Sequence, residues 1–196
     1  LVVVFSIPSV TLAAQTFESE HYRLRVVTVA EGLVKPWSLA WLPDGRMLVT
    51  ERPGRLRLVS KNGALSAPIQ GLPEIFVAGQ GGMLDVLVDP GFAENRTLYF
   101  SFAEPAVNGA GTAVARATLS EGRLENVKIL FRQLPKTTSG IHFGSRLAMR
   151  GDGTLFITIG ERGQRELAQD PEVNRGQVVR VDRDGRIPAD NPFVGR

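Results

Sequence analysis

The sequence predicts an all-β protein of the β-propeller type, in which small antiparallel sheets repeat around a common axis. Three observations carry that expectation. Residues 36–52 form an apolar run, an Asp44-Gly45 turn and a second apolar run, which is the pattern of a β-hairpin. The pattern returns residue for residue over 147–158, where Ala148 answers Ala40, Asp152-Gly153 answers Asp44-Gly45 and Thr158 answers Thr50. A looser copy with a longer turn lies between them, over 83–102, and no segment shows a helical period of useful length. Copies spaced by roughly 50 residues, each with three or four short strands, favour propeller blades over a β-sandwich, whose strands are also short.

Taken in order, residues 1–14 are apolar and then small. They look like the end of a secretory signal with cleavage near Ala13 or Ala14, which places the protein in a periplasm or outside the cell; a buried first strand is the alternative. The run is too short to span a bilayer, and no other stretch is long and apolar enough to do so. Residues 22–29 are rich in β-branched side chains and read as a strand. After the first hairpin, Pro53-Gly54 turns the chain, 55–59 alternates as a third strand, and Lys61-Asn62-Gly63 closes it. The middle copy has strands at 83–89 and 97–102, then at 112–117 and 127–131. Residues 177–182 finish the third copy before the Asp184-Gly185 turn. About three blades result. Propellers generally have four to eight blades, each packed on its neighbours. The expectation is therefore an incomplete chain, with residues 1–14 a signal remnant and 22–196 the N-terminal half of one propeller domain.

Composition narrows the chemistry. The chain has 196 residues, a formal charge of +3 and no cysteine, which excludes disulfides, thiolate metal sites and cysteine nucleophiles. Its basic residues are scattered, so nucleic acid is not an expected partner. The mild basicity still favours an acidic small ligand.

The candidate chemistry lies in two glycine-bracketed segments. His142 sits between Gly140 and Gly144, with Arg146 four residues on. A strand-like run, 154–159, then delivers Glu161 into a turn between Gly160 and Gly163. An imidazole titrates near neutrality, and a carboxylate beside it fixes its tautomer and stabilises its charged form. His142 therefore reads as a general base and Glu161 as its orienting partner. The competing structural readings are a lone turn histidine and a Glu161 paired with Arg162 or Arg165 on the surface. Gln80, between Gly79 and Gly81, reads by itself as a turn cap. Trp37 and Trp41 read as packing between blades, His21 as a solvated residue, and Asp182 and Asp184 as a strand-ending turn.

In combination, five motifs resemble a known family. They are Pro36-Trp37-Ser38-Leu39-Ala40, Gly79-Gln80-Gly81-Gly82-Met83-Leu84-Asp85-Val86, His142-Phe143-Gly144-Ser145-Arg146-Leu147, Thr158-Ile159-Gly160-Glu161-Arg162-Gly163 and Pro188-Ala189-Asp190-Asn191-Pro192-Phe193. With these motifs the chain resembles the soluble glucose/sorbosone dehydrogenases, the quinoprotein aldose sugar dehydrogenases that use pyrroloquinoline quinone (PQQ). The resemblance implies a six-bladed propeller with PQQ at one end of the central channel and calcium beside it. It also implies an aldose sugar substrate, a lactone product and an external electron acceptor. His142 is similar to the family's base and would lie against the cofactor, and Gln80 looks like a PQQ contact. Glu161 stands where relatives often carry the shorter Asp. The family's cationic PQQ contacts and calcium ligands are expected in a C-terminal half, and without them this fragment would be inactive. Two other functions compete: a non-enzymatic ligand- or partner-binding propeller, and a propeller lactonase, which needs converging carboxylate or Asn metal ligands that the sequence does not present.

Overall fold

A computed structural model describes residues 15–194; the signal-like stretch 1–14 lies outside the described residues. The fold is all-β, with four antiparallel sheets among the described residues, none of them closed on itself. A two-stranded hairpin, β1 (Gln15–Glu18) and β2 (Arg23–Val26), comes first. The next sheet is β3 (Pro36–Trp41), β4 (Met47–Glu51) and β5 (Arg55–Val59). The middle sheet has four strands, β6 (Met83–Val88), β7 (Thr97–Ala106), β8 (Gly109–Ser120) and β9 (Arg123–Arg132). The last is β10 (Gly144–Met149), β11 (Leu155–Ile159) and β12 (Val178–Val181). Strands pair in chain order in every sheet. Helix is confined to Phe92–Asn95 and a 3-10 turn at Arg165–Leu167 among the described residues.

The Asp-Gly turns explain why the hairpins recur. The Asp44 carboxylate accepts from Arg46 N at 3.0 Å, and Gly45 takes φ 83°. The Asp152 carboxylate likewise accepts from Thr154 N at 2.9 Å, and Gly153 takes φ 85°. An Asx side chain closes each turn, and glycine occupies the left-handed position without a Cβ penalty. The expected strand at 22–29 is shorter in the structure and pairs with β1. Every residue of that hairpin is exposed, so no buried alternation marks it in the sequence.

Two apolar cores join the three larger sheets face to face. Leu42, Leu48 and Leu56 pack with Met83, Val86, Leu98, Phe100 and Phe102. Tyr99, Val114 and Leu130 pack with Leu147, Leu155, Ile157 and Val181. Each such side chain contributes about 1.5–3 kcal/mol on burial. Trp37 and Trp41 behave otherwise. They stand 38% and 62% exposed on β3 and are not packed between sheets among the described residues.

The first strands, β3, β6 and β10, lie side by side, with β6 touching both others. Each begins with a register break, at Pro36/Ser38, Met83/Val86 and Gly144/Leu147. A bulge leaves a backbone N–H out of the ladder. A hydroxyl from the second strand accepts it every time: Ser38 N to Thr50 Oγ1 at 3.0 Å, Asp85 N to Ser101 Oγ at 2.9 Å and Arg146 N to Thr158 Oγ1 at 2.9 Å. The first two hydroxyls then donate onward to the next sheet, Thr50 to Leu84 O at 2.6 Å and Ser101 to Ser145 O at 2.8 Å. One side chain thus closes a bulge and clasps the neighbouring sheet.

Candidate active site

The loops that enter the first strands meet at one end of the molecule. Arg52, just past β4, donates through Nη1 to Gly79 O. Gln80 N donates to Gly140 O at 2.7 Å, and a Cβ on Gly79 would lie only 2.4 Å from that oxygen, so glycine is what lets the loops touch. Gln80 Oε1 accepts from His142 N at 2.8 Å. His142 itself takes φ 51°, the left-handed region that non-glycine residues seldom enter. Its backbone is therefore held from outside, by Gln80 and by the adjoining turn.

His142 Nδ1 meets Glu161 Oε1 in a direct hydrogen bond. The bond from His142 holds the Glu161 carboxyl below its ordinary range; burial opposes this, and the Gly163 N–H at 3.1 Å assists. With the carboxylate on Nδ1, the neutral ring carries its proton there and leaves Nε2 as the basic nitrogen. The imidazole is 45% exposed, so Nε2 can meet a small molecule. The two backbones are in contact behind the pair. A Cβ on Gly160 would overlap His142 O at 1.7 Å, and one on Gly144 would lie 2.6 Å from Gly160 N. Arg162 does not pair with Glu161 on the surface. Its guanidinium is buried, stacks on the Phe143 ring at 3.3 Å and donates to Ser139 O. Burial, reinforced by nearby Arg175, pushes its pKa down to about 10. His142, Glu161 and Gln80 are thus brought together, with Arg162 bracing the loop between them.

Sequence reasoning missed Asp85 at this end of the fold. Ser38, Asp85 and Arg146 occupy equivalent places, each the residue whose N–H the bulge hydroxyl accepts. Asp85 is 2% exposed and accepts from Ser38 Oγ at 2.5 Å, Arg146 Nη1 at 3.2 Å and Leu147 N at 2.7 Å. One carboxylate therefore binds three first strands and gives Arg146 a fixed partner. The signal available was an acid inside the apolar run Met83-Leu84-Asp85-Val86. Beside it opens a cleft of about 320 Å³ whose lining includes Leu39, Trp41, Asp85, Leu87 and Arg146.

These features define an all-β protein of repeated sheets with a histidine–carboxylate pair exposed where its loops converge. Residues 33–196 match the model of the Glucose / Sorbosone dehydrogenase family, and the chain belongs to that family. It is 41% identical to the Escherichia coli (strain K12) aldose sugar dehydrogenase YliI, over 97% of this chain and 52% of that protein. A crystal structure of a glucose dehydrogenase superposes with a TM-score of 0.84 at 49% identity, over 87% of this chain and 51% of that one. The PQQ-bound aldose sugar dehydrogenase of Streptomyces coelicolor superposes with a TM-score of 0.77 at 30% identity, over 87% and 51%. The chain spans about half the length of the curated relatives it matches.

The residues present fit part of a quinone cofactor's site. The exposed His142 imidazole and Gln80 amide offer hydrogen-bonding groups on one low, glycine-walled surface. They do not provide a calcium site: among the described residues no three His, Cys, Asp or Glu side chains are grouped to hold a metal ion.

Proposed function

We propose that the intact protein oxidises aldose sugars at the anomeric carbon to lactones, with PQQ as the hydride acceptor. The observation that carries this reading is the His142–Glu161 pair, with Gln80 on the His142 amide, in a chain of this family. A sugar carbon does not release hydride easily while its hydroxyl keeps its proton. His142 Nε2 takes that proton as the C–H electron pair departs, and a C=O double bond forms. Glu161 holds the ring with Nε2 outward and stabilises the positive charge it gains. Gln80 fixes the base's backbone through Oε1, and its amide nitrogen would be the group available to the cofactor. PQQ supplies the two-electron acceptor for the hydride, and the protein supplies orientation and charge.

The same reading places three sheets of this chain in a six-bladed ring, with the cationic cofactor contacts and calcium ligands on further sheets. It also places the protein in a periplasm or outside the cell, with an external acceptor reoxidising the cofactor. The test is dye-linked activity of the intact protein after incubation with PQQ and calcium, across a panel of aldoses. Lactone formation that requires PQQ supports the reading. Absence of both turnover and PQQ binding by absorbance removes it.

A further inference from the structure

The His142–Glu161 bond joins two exposed loops whose backbones also meet directly, Gly160 N donating to Phe143 O at 3.2 Å. The middle sheet adds a second hold on both loops. Thr112, fully buried in β8, donates from Oγ1 to Phe143 O at 2.7 Å, one residue after His142. Gln133, 1% exposed and just beyond β9, donates from Nε2 to Gly160 O at 2.9 Å, one residue before Glu161. The same nitrogen donates to Asn174 O at 2.8 Å, which ties down the far end of the connection between β11 and β12. Thr112 and Gln133 are also bonded to each other: Thr112 N donates to Gln133 Oε1 at 3.2 Å and Gln133 N to Thr112 O at 2.8 Å. They form one buried unit that grips the carbonyl next to the base and the carbonyl next to its acid.

We infer that Thr112 and Gln133 are positioning residues for the His142–Glu161 pair, setting its length through the Phe143 and Gly160 carbonyls. This rests on the dehydrogenase reading for its catalytic meaning, though not for its geometry. The physical argument is one of leverage. Gly160 and Gly144 permit direct backbone contact between the two loops, and a single bond, Gly160 N to Phe143 O, crosses it there, so a slip of either carbonyl that strains this bond moves the carboxylate relative to the imidazole. Both carbonyls accept from donors that continue the β8–β9 ladder by one step, where Gln133 N donates to Thr112 O. A buried donor–acceptor unit of this kind is costly to leave half made, which keeps it locked. The polar neighbours of Glu161 are His142, the Gly163 N–H and the buried Arg162 with Arg175 behind it, and neither Thr112 nor Gln133 is among them.

The experiment follows the Glu161 carboxylate by ¹³C NMR titration in the intact protein, with Glu161→Gln assigning the signal. Thr112→Val and Gln133→Met keep side-chain size and remove the donors. In each, the Glu161 midpoint should rise toward the ordinary carboxylate value, because the His142 bond that lowers it is loosened. Aldose turnover, kcat/KM, should fall by about 10²-fold, the scale of a 1 Å misplacement. Thr112→Ser keeps the hydroxyl and should restore both. Midpoints unchanged in both folded donor-less variants overturn the inference. Should neither variant fold, the unsubstituted protein decides by scalar coupling across the Gln133 Nε2–Gly160 carbonyl bond: its presence supports the inference and its absence overturns it. A shifted midpoint in a protein that oxidises no aldose leaves the positioning intact and removes the function. Turnover with an unshifted midpoint does the reverse.

Discussion

The first and last three-stranded sheets are the same hairpin built twice, and they part company at one place. Both turn on Asp-Gly, and both satisfy a bulged N–H with a threonine hydroxyl. In the first, β4 returns to β5 through residues 52–54. In the last, β11 reaches β12 only through residues 160–177, which carry Glu161, Arg162 and Arg175. The loop before the last sheet carries His142. The repeat makes a scaffold in which one detour can be inserted without disturbing the ladders, and the candidate chemistry sits where that detour meets the loop carrying His142. Residues of the detour and of the His142 loop should therefore govern turnover, and residues of the repeat should govern stability.

The largest effect should fall on the loop that faces the detour. His142→Ala in the intact protein should lower aldose turnover by roughly 10²- to 10⁴-fold, the usual weight of a general base, with little change in unfolding free energy. Steady-state kinetics beside a denaturant melt checks both halves. A large loss of stability with near-normal turnover would break the division.

On the repeat side, Asp85→Ala should destabilise by about 3 kcal/mol. It strands the buried Leu147 and Val86 N–H groups and the Ser38 hydroxyl at once. Arg146→Ala should cost at most about 1 kcal/mol, because that guanidinium is 68% exposed and its ion pair is largely solvated. Equal losses from the two would mean that the carboxylate matters only as the partner of Arg146.

Much of this was legible in the sequence, for reasons that are local. Asp44-Gly45 and Asp152-Gly153 announce their turns because Asx closure and a left-handed glycine act over a few residues. The copies announced the three larger sheets, and glycine bracketing with the family motifs singled out His142, Glu161 and Gln80, which the structure brings together. What was not legible depends on contacts between distant segments. Asp85 shows as an odd acid in an apolar run, but its partners lie at Ser38 and Leu147. Gln133 looks like any polar residue after a strand, and only the folded middle sheet puts it under Gly160. Trp41 was expected to be covered and is not, since periodicity reports a face without reporting what packs on it.

Glu161→Gln sharpens the comparison further. It keeps a hydrogen-bonding oxygen and removes the charge, so turnover should fall about tenfold, less than for His142→Ala, because the imidazole remains. Its stability signature has a definite sign. The Glu161 carboxyl is depressed from its ordinary 4.5 in the folded protein. The pair therefore adds stability above about that pH and loses it as pH falls through the folded value. Unfolding free energies of the protein and the variant, measured from pH 7 down to pH 3, should converge toward the acid end. A constant gap would show that the charge of Glu161 is not what holds the bond.

The smallest effect separates the two hairpins most finely. Thr50 and Thr158 hold the same place in the repeat, and each accepts from a bulged N–H. Thr50 also donates to Leu84 O on the next sheet, whereas Thr158 meets no further first strand among the described residues. Valine at either site keeps the β-branched shape and deletes the hydroxyl. Thr50→Val should then cost about 2 kcal/mol, since it leaves a buried carbonyl and an N–H without partners, and Thr158→Val about 1 kcal/mol. Denaturant melts of this 196-residue chain should show that difference. In the intact protein, a further sheet of the same kind beside β10 would offer Thr158 an acceptor at its own bulge, so the cost of Thr158→Val should rise to match that of Thr50→Val. Equal costs in the chain alone would mean that the clasp to Leu84 contributes nothing and that the sheets are held by their apolar cores. A gap that persists in the intact protein would mean that the hydroxyl repeat stops at the third sheet.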